Sequence, residues 1–274
     1  MTTELFLCPH CREPLVTQNG SYLCKNHHTF DIARQGYVNL LTGRAGTQHG
    51  DNRDMIAARR RFLSAGYYAP LVEAVCDTAV RHTEHGATVL DAGCGECHYT
   101  AAVDAALSGA GRGARVLGLD ISREALSLGG RSYPSLALAV ASLYDLPLAD
   151  GSVDLLLEIF APHAGGEYAR VLRPSGKMML VIPDARHLFG LKEVLYEKPY
   201  ENRVQDTALS CFRLLEEISV KDRITLKTDE DLWDLFTMTP YFYRTSPADK
   251  EKLRRRAPLD TEISFKILIY QKAE

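Results

Sequence analysis

Three cysteines near the N-terminus have the spacing of a zinc site. Cys8 and Cys11 form a C-x2-C pair, and Cys24 follows thirteen positions after Cys11. Structural zinc sites take four thiolate or imidazole ligands in a tetrahedron, which leaves no position for a catalytic water. The spacing therefore predicts a structural zinc ion. Three nearby histidines are open as the fourth ligand: His10, His27 and His28.

An Asn19-Gly20 pair lies between the two halves of this cluster. Asn-Gly favours the tight turn of a β-hairpin, which would bring the halves together. A segment of about thirty residues buries little apolar core, so bound metal would supply its folding free energy. The pattern indicates a small metal-stabilised module ahead of the main domain.

A second group of residues suited to chemistry lies in the segment DAGCGECH, residues 91–98. Asp91 ends a predicted strand, and the small residues Gly93 and Gly95 would let the backbone turn sharply against a ligand. Asp120 closes the next predicted strand, 29 positions after Asp91. A carboxylate at that place can bind both hydroxyls of a ribose. The spacing predicts a nucleoside-binding loop.

The type of nucleoside follows from a missing glycine. A dinucleotide-binding fingerprint reads G-x-G-x-x-G, and here His98 replaces its third glycine. Pyrophosphate is therefore disfavoured as the ligand. D-x-G-x-G after a first strand is instead typical of methyltransferases that use S-adenosylmethionine (SAM), which has no phosphate. The loop predicts SAM as the cofactor.

Alternating strands and helices must position this loop. Apolar runs and turn residues predict strands at 87–93, 114–122, 136–142, 153–161, 177–184 and 263–272. Amphipathic patterns predict helices at 55–66, 67–83, 100–109, 123–133 and 165–174. This order is typical of an α/β fold with a parallel sheet covered on both faces.

Composition excludes several other classes of protein. The chain has 274 residues, 46% hydrophobic and 24% charged, as in ordinary globular domains. It has no run of about 18 apolar residues that could span a membrane, and its first residues do not resemble a secretory signal. Seven cysteines without such a signal are typical of a reducing compartment. We therefore expect a cytoplasmic protein with no membrane partner.

Charge is unevenly distributed along the chain. Residues 1–66 have eight Lys/Arg and five Asp/Glu, a net charge of +3, whereas residues 67–183 have eight and thirteen, a net charge of −5. A basic segment beside an acidic body is compatible with contact to phosphate. Three consecutive arginines on a predicted helix are candidates for this contact, with a solvated surface as the alternative: Arg59, Arg60 and Arg61.

Taken together, these patterns resemble the bacterial 23S rRNA guanine-N1 methyltransferases, a family that includes tylosin-resistance enzymes. The resemblance covers most of the chain and rests on CPHC with C-x3-H, GYVNLL (36–41), GD-x-x-x-M-x-x-ARR-x-FL-x-AG-x-Y (50–68), VLDAGCGE (89–96), ASLYDLPL (141–148), IFAP (159–162), ARHL-x-x-LK (185–192) and TPYFYR (239–244). It implies a Rossmann-like class I SAM-dependent methyltransferase fold with an N-terminal zinc-binding module. It further implies methyl transfer from SAM to N1 of a guanine in a 23S rRNA hairpin loop.

The resemblance also implies a division of the chain. Residues 1–40 would be a zinc-binding module that recognises RNA, 41–66 a linker and helix, and 67–274 the SAM-dependent domain. The fourth zinc ligand would be His28. Two other functions stay open: a SAM-dependent methyltransferase for a small molecule or another RNA, and a non-catalytic zinc protein that binds RNA.

Cofactor contacts are implied at the positions that match the family. Tyr68 would contact SAM from the helix before the sheet. Asp91, Gly93 and Gly95 would lie beside the methionine part, and Asp120 would bind the ribose.

Five further positions complete the expected cofactor pocket. Glu96 and His98 continue the loop, and His187 matches a pocket histidine of the family. Ser142 falls where many methyltransferases have an aspartate that binds adenine. Cys97 stands where the family usually has glycine, so its side chain is expected to crowd the loop without abolishing binding.

The chemistry of guanine N1 requires loss of a proton before or during methyl transfer. Three residues near predicted carboxyl ends of strands are candidate bases: Asp184, His163 and Glu158. The sequence leaves the catalytic residue unassigned. It also leaves open which guanine is methylated, whether macrolide resistance follows and whether the chain forms a homodimer.

Overall fold

The computed structural model describes residues 5–41, 52–204 and 206–273. Its strands are Val16–Gln18 (β1), Ser21–Leu23 (β2), Thr29–Asp31 (β3), Tyr37–Asn39 (β4), Thr88–Ala92 (β5), Arg115–Asp120 (β6), Ala137–Val140 (β7), Val153–Ile159 (β8), Leu172–Pro183 (β9), Phe212–Leu226 (β10) and Leu259–Lys272 (β11). Its helices are Arg53–Ser64 (α1), Ala69–His82 (α2), His98–Gly109 (α3), Arg123–Ser132 (α4), Gly165–Val171 (α5), Phe189–Leu195 (α6), Asp229–Thr237 (α7), Tyr241–Arg244 (α8) and Pro247–Glu251 (α9). Among the helices of these ranges, none combines the length and apolar character needed to cross a membrane. Residues 42–51 of the predicted linker lie outside the described residues.

The large sheet orders its strands β10-β11-β9-β8-β5-β6-β7-β4. From β9 to β4 the neighbouring strands are parallel, and β11 pairs antiparallel with both β9 and β10. The chain continues from β5 to β6 and β7 on one side, then returns to β8 on the other side. In such sheets a ligand binds at this switch point, beyond the carboxyl ends of the strands. The glycine loop that follows β5 occupies that place.

Both faces of the large sheet are covered, as the alternation of elements predicts. On one face, α2, α3 and α7 pack through buried side chains such as Leu71, Val103 and Phe236. On the other face, α5 packs beside the N-terminal module, whose Phe6 and Leu15 are fully buried. The zinc-binding segment therefore shares a hydrophobic core with the main domain.

The N-terminal module contains the predicted hairpin. Strands β1, β2 and β3 form an antiparallel sheet. Asn19 and Gly20 join β1 to β2 with φ angles of 51° and 80°. Two positive φ angles are typical of the hairpin turn that Asn-Gly favours, so the hairpin prediction is confirmed.

Strand β4 connects the module to the large sheet. It pairs in parallel with β7, with Tyr37 beside Leu138. A Cβ on Gly130 of α4 would run into the carbonyl oxygen of Gln35, so this glycine lets the module approach closely. Residues 37–39 therefore lie in the sheet of the main domain, although the boundary predicted from the sequence falls after residue 40.

Strand β10 was not predicted from the sequence. It is an edge strand of fifteen residues, and most of its side chains are exposed or half-buried. Because one of its faces lies open to solvent, charged residues such as Glu217 and Arg223 interrupt the apolar pattern that marks a buried strand. Pairing with β11 along nearly its whole length stabilises it instead.

Candidate metal centre and active site

Four side chains of the N-terminal module converge on one point. Their ligand atoms all lie within 4.8 Å of one another: Cys8, Cys11, Cys24 and His28. Nδ1 of His28 is 3.4 Å from the sulfur atoms of both Cys8 and Cys24, and the sulfur atoms of Cys11 and Cys24 are 3.7 Å apart. Tetrahedral zinc gives edges of about 3.8 Å between sulfurs and about 3.6 Å between sulfur and nitrogen. These residues fit a zinc ion.

The structure also decides among the three histidines. His28 supplies the fourth ligand atom. The ring of His10 instead stacks on Phe30, with ring centres 5.8 Å apart, and lies 5.1 Å from the ring of His28. His27 is exposed in a turn with a φ of 64°. The resemblance-based assignment of His28 therefore agrees with the geometry.

The module is bonded to the loop that follows β7. The N–H of Leu7 donates to the carbonyl of Pro147 at 2.8 Å. Arg12 donates to the carbonyl of Leu146 at 3.1 Å and pairs with Asp145 at 3.4 Å. This loop begins at the serine that was predicted to contact adenine. The metal module thus supports one wall of the predicted cofactor pocket.

The glycine loop is pressed against the end of β8. Gly93 and Gly95 have φ angles of 91° and 55°, which favour glycine. A Cβ on Gly93 would lie 2.5 Å from the Cβ of Ala161, so a side chain at 93 is excluded by space as well. A Cβ on Gly95 would meet only Nη1 of Arg59, at 3.9 Å, among the described residues. The loop is therefore closed at Gly93 and open beside Gly95.

Asp91 brings a buried carboxyl group to this loop. Its Oδ2 accepts a hydrogen bond of 2.6 Å from the hydroxyl of Thr100, and its Oδ1 has no hydrogen-bond partner within the described ranges. Burial raises the pKa of Asp91 to about 7, although the bond from Thr100 acts in the opposite direction. A buried carboxylate with a free oxygen favours a cationic ligand, because burial without a partner is costly. No spacing rule in the sequence links Thr100 to Asp91.

Glu96 is a second buried carboxyl group of the same loop. In the part of the chain that the structure describes, its Oε1 also has no hydrogen-bond partner. Burial raises its pKa to about 7, and the positive charges of Arg60 and Arg59 oppose this rise. A positively charged ligand at the loop would therefore stabilise the charged forms of both acidic side chains.

Asp120 lies at the carboxyl end of β6, next to the end of β5. Its Oδ2 accepts from the N–H of Gly95 and its Oδ1 from the N–H of Ser122, each at 2.8 Å. The two predicted carboxylates, 29 positions apart in the chain, thus reach the same edge because β5 and β6 are adjacent. Asp120 therefore orders the glycine loop.

Tyr68 and His187, two predicted cofactor contacts, form a buried pair. Oη of Tyr68 is 3.2 Å from Nε2 of His187, and Nδ1 of His187 accepts from the N–H of Ser264 at 3.3 Å. Burial, helped by the charge of Lys192, lowers the pKa of His187 to about 3, so its ring is neutral. The proton therefore lies on Nε2 and is donated to Tyr68. This leaves the hydroxyl hydrogen of Tyr68 for another acceptor.

Cys97 does not crowd the loop opening, contrary to expectation. Its residue is the N-cap of α3, with a φ of 68°, and the helix begins one position later at His98. Its sulfur lies only 2.5 Å from where a Cβ on Gly129 would be, and 3.9 Å from the sulfur of Cys94. The side chain therefore points into the core against α4.

Burial lowers the pKa of the half-buried His98.

Ser142 follows β7 at the same edge of the sheet. Its hydroxyl accepts from the N–H of Tyr144 at 3.2 Å, so it orders its own turn. The adjacent Leu143 lies 3.7 Å from where a Cβ on Gly93 would be. The loops after β5, β7 and β8 therefore meet around the glycine loop.

Three consecutive arginines of α1 have three different surroundings. Arg61 forms two hydrogen bonds with the buried carboxylate of Asp234, so it holds α1 against α7. Arg60 donates to the hydroxyl of Ser132 at 3.0 Å, at the end of α4. Arg59 lies over the glycine loop, beside Gly95. The sequence pattern groups them as one basic patch, whereas the structure separates their roles.

The pocket suits a ligand such as SAM. SAM carries two positive groups, an ammonium and a sulfonium, and the described part of the pocket offers unpaired carboxylate oxygens on Asp91 and Glu96. The loop is open beside Gly95, where a Cβ would meet only Nη1 of Arg59 among the described residues, at 3.9 Å. The residues present therefore fit SAM in charge and in space.

Replacing Asp120 with alanine should weaken SAM binding by about 1–3 kcal/mol, because a charged acceptor of ribose hydroxyls and of the Gly95 N–H is removed. Isothermal titration calorimetry measures the change. Asp77→Ala, on the exposed side of α2, is the matched control. Equal affinity of wild type and Asp120→Ala would show that Asp120 does not bind the ribose.

Two family models match the chain. The model described as "RlmA, N-terminal", a zinc ribbon, matches residues 6–44. The model described as "Methyltransferase domain" matches residues 89–176. The two matches coincide with the metal centre and with the glycine loop. The chain thus combines a zinc ribbon with a class I SAM-dependent methyltransferase fold, and zinc and SAM are its cofactors.

Two related bacterial proteins extend the match to nearly the whole chain. The 23S rRNA (guanine(748)-N(1))-methyltransferase of Streptomyces fradiae is 37% identical over 257 residues, covering 91% of this chain and 88% of its own. A Micromonospora griseorubida protein, provisionally named a 23S rRNA (guanine-N(1)-)-methyltransferase, is 37% identical over 265 residues, covering 88% of both chains. Among solved structures, the MccD protein matches 73% of this chain and 97% of its own, with 19% identity and a TM-score of 0.49. By its sequence along nearly its full length, the chain belongs to the 23S rRNA guanine-N1 methyltransferase family.

Proposed function

We propose that this protein transfers a methyl group from SAM to N1 of a guanine in a 23S rRNA hairpin loop. One observation supports this most strongly: the zinc ribbon and the carboxylate-lined glycine loop occur together in one chain that is 37% identical to a relative of that name. The ribosomal RNA substrate also supports a cytoplasmic location. Light scattering of the purified protein distinguishes a monomer from a homodimer.

Each residue of the pocket has a proposed task. SAM, when bound, supplies an electrophilic methyl group. The free oxygen of Asp91 faces its ammonium group, and Asp120 binds its ribose hydroxyls. The hydroxyl of Tyr68, whose own hydrogen is not used by His187, donates to the cofactor. The residues thus act by positioning, which is the main contribution of a protein to methyl transfer.

The target guanine must be unpaired, because base pairing hides N1. Two exposed aromatic rings lie beside the glycine loop, Tyr144 after β7 and Phe160 after β8, with 53% and 47% of each residue exposed. Phe160 also has a φ of 56°, which is unfavourable for this residue type, and backbone strain of this kind clusters at functional sites. We propose that these rings stack on the extruded base, as aromatic residues commonly do in RNA recognition.

A cavity joins the zinc module to the helices beside the cofactor pocket. It has a volume of about 410 Å3 and lies between β4, α1 and α4. Its lining residues are Tyr37, Arg53, Ile56, Arg123, Glu124, Ser127 and Leu128. Arg53 has 85% of its side chain exposed and approaches Glu124 only at a long distance, 4.0 Å. Two arginines here are thus accessible to an anion.

The arginines continue along both helices. Arg53 and Arg60 are seven residues apart on α1, a rise of about 10 Å, and Arg123 and Arg131 are eight residues apart on α4. The helices lie side by side, since Arg53 approaches Glu124 at one end and Arg60 bonds to α4 at the other. We call these four arginines the arginine strip. We propose that it binds phosphates of the hairpin and orients its loop toward the pocket.

Removing two arginines of the strip tests this surface. Arg53→Ala combined with Arg123→Ala should weaken RNA binding and lower its salt slope by about two units, one for each phosphate that is no longer neutralised. SAM affinity should not change. The control combines Arg213→Ala with Arg223→Ala on β10, at the opposite edge of the sheet. A salt slope that is the same in both double variants would exclude the strip as the RNA-binding surface.

The activity itself is tested with labelled SAM. Purified protein should transfer label to a 23S rRNA fragment containing the hairpin, and nucleoside analysis should find it in N1-methylguanosine. A fragment with the target guanine replaced by adenine is the control. Label in a different nucleoside, or none in this fragment, would contradict the proposed function.

A further inference from the structure

A buried glutamate and a histidine form a pair after β8. Glu158 lies near the end of this strand with 1% of its surface exposed, and its Oε2 is 2.7 Å from Nδ1 of His163. Burial raises the pKa of Glu158, while the hydrogen bond from His163 favours its charged form. A carboxylate can only accept, so the ring proton of a neutral His163 lies on Nδ1. Nε2 then carries a free lone pair.

The pair lies close to the glycine loop that is predicted to bind the cofactor. His163 is two residues after Ala161, which is pressed against Gly93 of the glycine loop. Two residues span at most about 7 Å, so His163 stands at the same edge of the sheet as the loop. Its side chain is 24% exposed, which leaves the ring within reach of a ligand.

Two neighbours keep the histidine in place. Tyr168 lies edge-on to its ring, with centres 5.5 Å apart, and donates its hydroxyl to the carbonyl of Pro162 at 3.1 Å. A Cβ on Gly165 would lie 2.8 Å from Nε2 of His163. The absence of a side chain at 165 therefore makes room for the nitrogen that carries the lone pair.

The other candidate bases are less suitable. Asp184 accepts from the hydroxyl of Ser264 at 3.1 Å and lies 4.0 Å from Lys221. Its pKa is lowered, first by the backbone N–H of Ala185, so it is a weak base. Glu158 is 1% exposed, and its Oε2 is bonded to the more exposed ring of His163.

We infer that His163 is the general base that takes the N1 proton of the target guanine, with Glu158 as the residue that positions it. The inference rests on the proposed function. As the bond from N1 to the methyl carbon forms, the carbon–sulfur bond breaks and its electron pair stays on sulfur. The N1 proton passes to Nε2 of His163, and Glu158 stabilises the charged ring. This is the arrangement by which a carboxylate orients an imidazole base in other enzymes.

Replacing His163 with alanine should lower kcat about 10²–10⁴-fold, the usual contribution of a general base. SAM affinity, measured by calorimetry, should stay unchanged and reports that the variant is folded. Added imidazole should restore part of the missing rate. His85→Ala, an exposed histidine away from the pocket, should leave kcat unchanged.

Glu158→Gln tests the positioning residue. It should lower kcat with little change in KM, and added imidazole should not restore the rate, because the ring is still present. Gly165→Ala should also lower kcat, because its Cβ displaces the ring of His163. Gly166→Ala is the matched control, because a Cβ at this adjacent position meets none of the described residues within 4 Å.

The results separate this inference from the proposed function. Wild-type protein that methylates the hairpin, together with a His163→Ala variant of equal kcat, would overturn the inference alone. Wild-type protein that never methylates the hairpin would overturn the proposed function. Loss of kcat in His163→Ala with recovery by imidazole would support both.

Discussion

Replacing Gly93 with alanine should reduce SAM affinity by on the order of 100-fold or more and abolish methyl transfer. A φ of 91° is strained for alanine, and the new Cβ would lie 2.5 Å from that of Ala161. Ala161 belongs to the loop that leads to His163, so relief of the clash moves the cofactor loop, the substrate loop or both. Calorimetry with SAM and the labelled-methyl assay measure the two effects.

Gly111→Ala is the matched control for this change. Gly111 has a φ of 66°, but a Cβ there meets no described residue within 4 Å. The control carries similar backbone strain away from the site, so it should lower thermal stability without changing SAM affinity. If Gly93→Ala and Gly111→Ala bind SAM equally well, the close approach of the two loops has no role in binding.

The second large effect is expected at the metal centre. Cys8→Ser should release the zinc ion and lower the melting temperature by about 10 °C or more, because metal binding contributes folding free energy directly. The effect should extend to the whole chain, since Cys8 and Phe6 are buried in the same core as the sheet. Elemental analysis and thermal unfolding measure both quantities.

Cys211→Ser provides the comparison, because Cys211 is exposed and lies outside the ligand cluster. It should keep one zinc ion per chain and the wild-type melting temperature. Wild-type protein without zinc would contradict the assignment. So would a Cys8→Ser variant that retains a full equivalent of the metal.

Much of the fold follows from local sequence patterns. The buried strands β5, β6 and β8 are short apolar runs bounded by turn residues, and their boundaries fall within about two residues of prediction. The metal ligands follow from spacing, because Cys8, Cys11 and Cys24 must meet within one small module. Asp91 and Asp120 also follow, since adjacent parallel strands end at one edge.

The remaining parts depend on three-dimensional packing that sequence patterns do not specify. Nothing near Thr100 in sequence indicates that its hydroxyl bonds to Asp91, and nothing near His163 shows how closely Gly165 approaches it. Arg59, Arg60 and Arg61 share one local pattern but have different partners, because helix rotation and the position of α7 decide which one reaches the buried carboxylate of Asp234. Packing against α4 likewise directs the side chain of Cys97 into the core. Sequence spacing gives candidates, and packing selects among them.

The parallel pairing of β4 with β7 has a consequence for how the protein is handled in the cell. Without β4, the strand Ala137–Val140 would become an open edge of the sheet, with unpaired backbone groups and almost entirely apolar side chains. Open apolar edges favour aggregation by pairing with other chains. Because β4 follows directly after the metal module, loss of zinc should also weaken the pairing of β4 with β7. We therefore expect metal supply during synthesis to affect the yield of soluble enzyme, separately from any effect on catalysis.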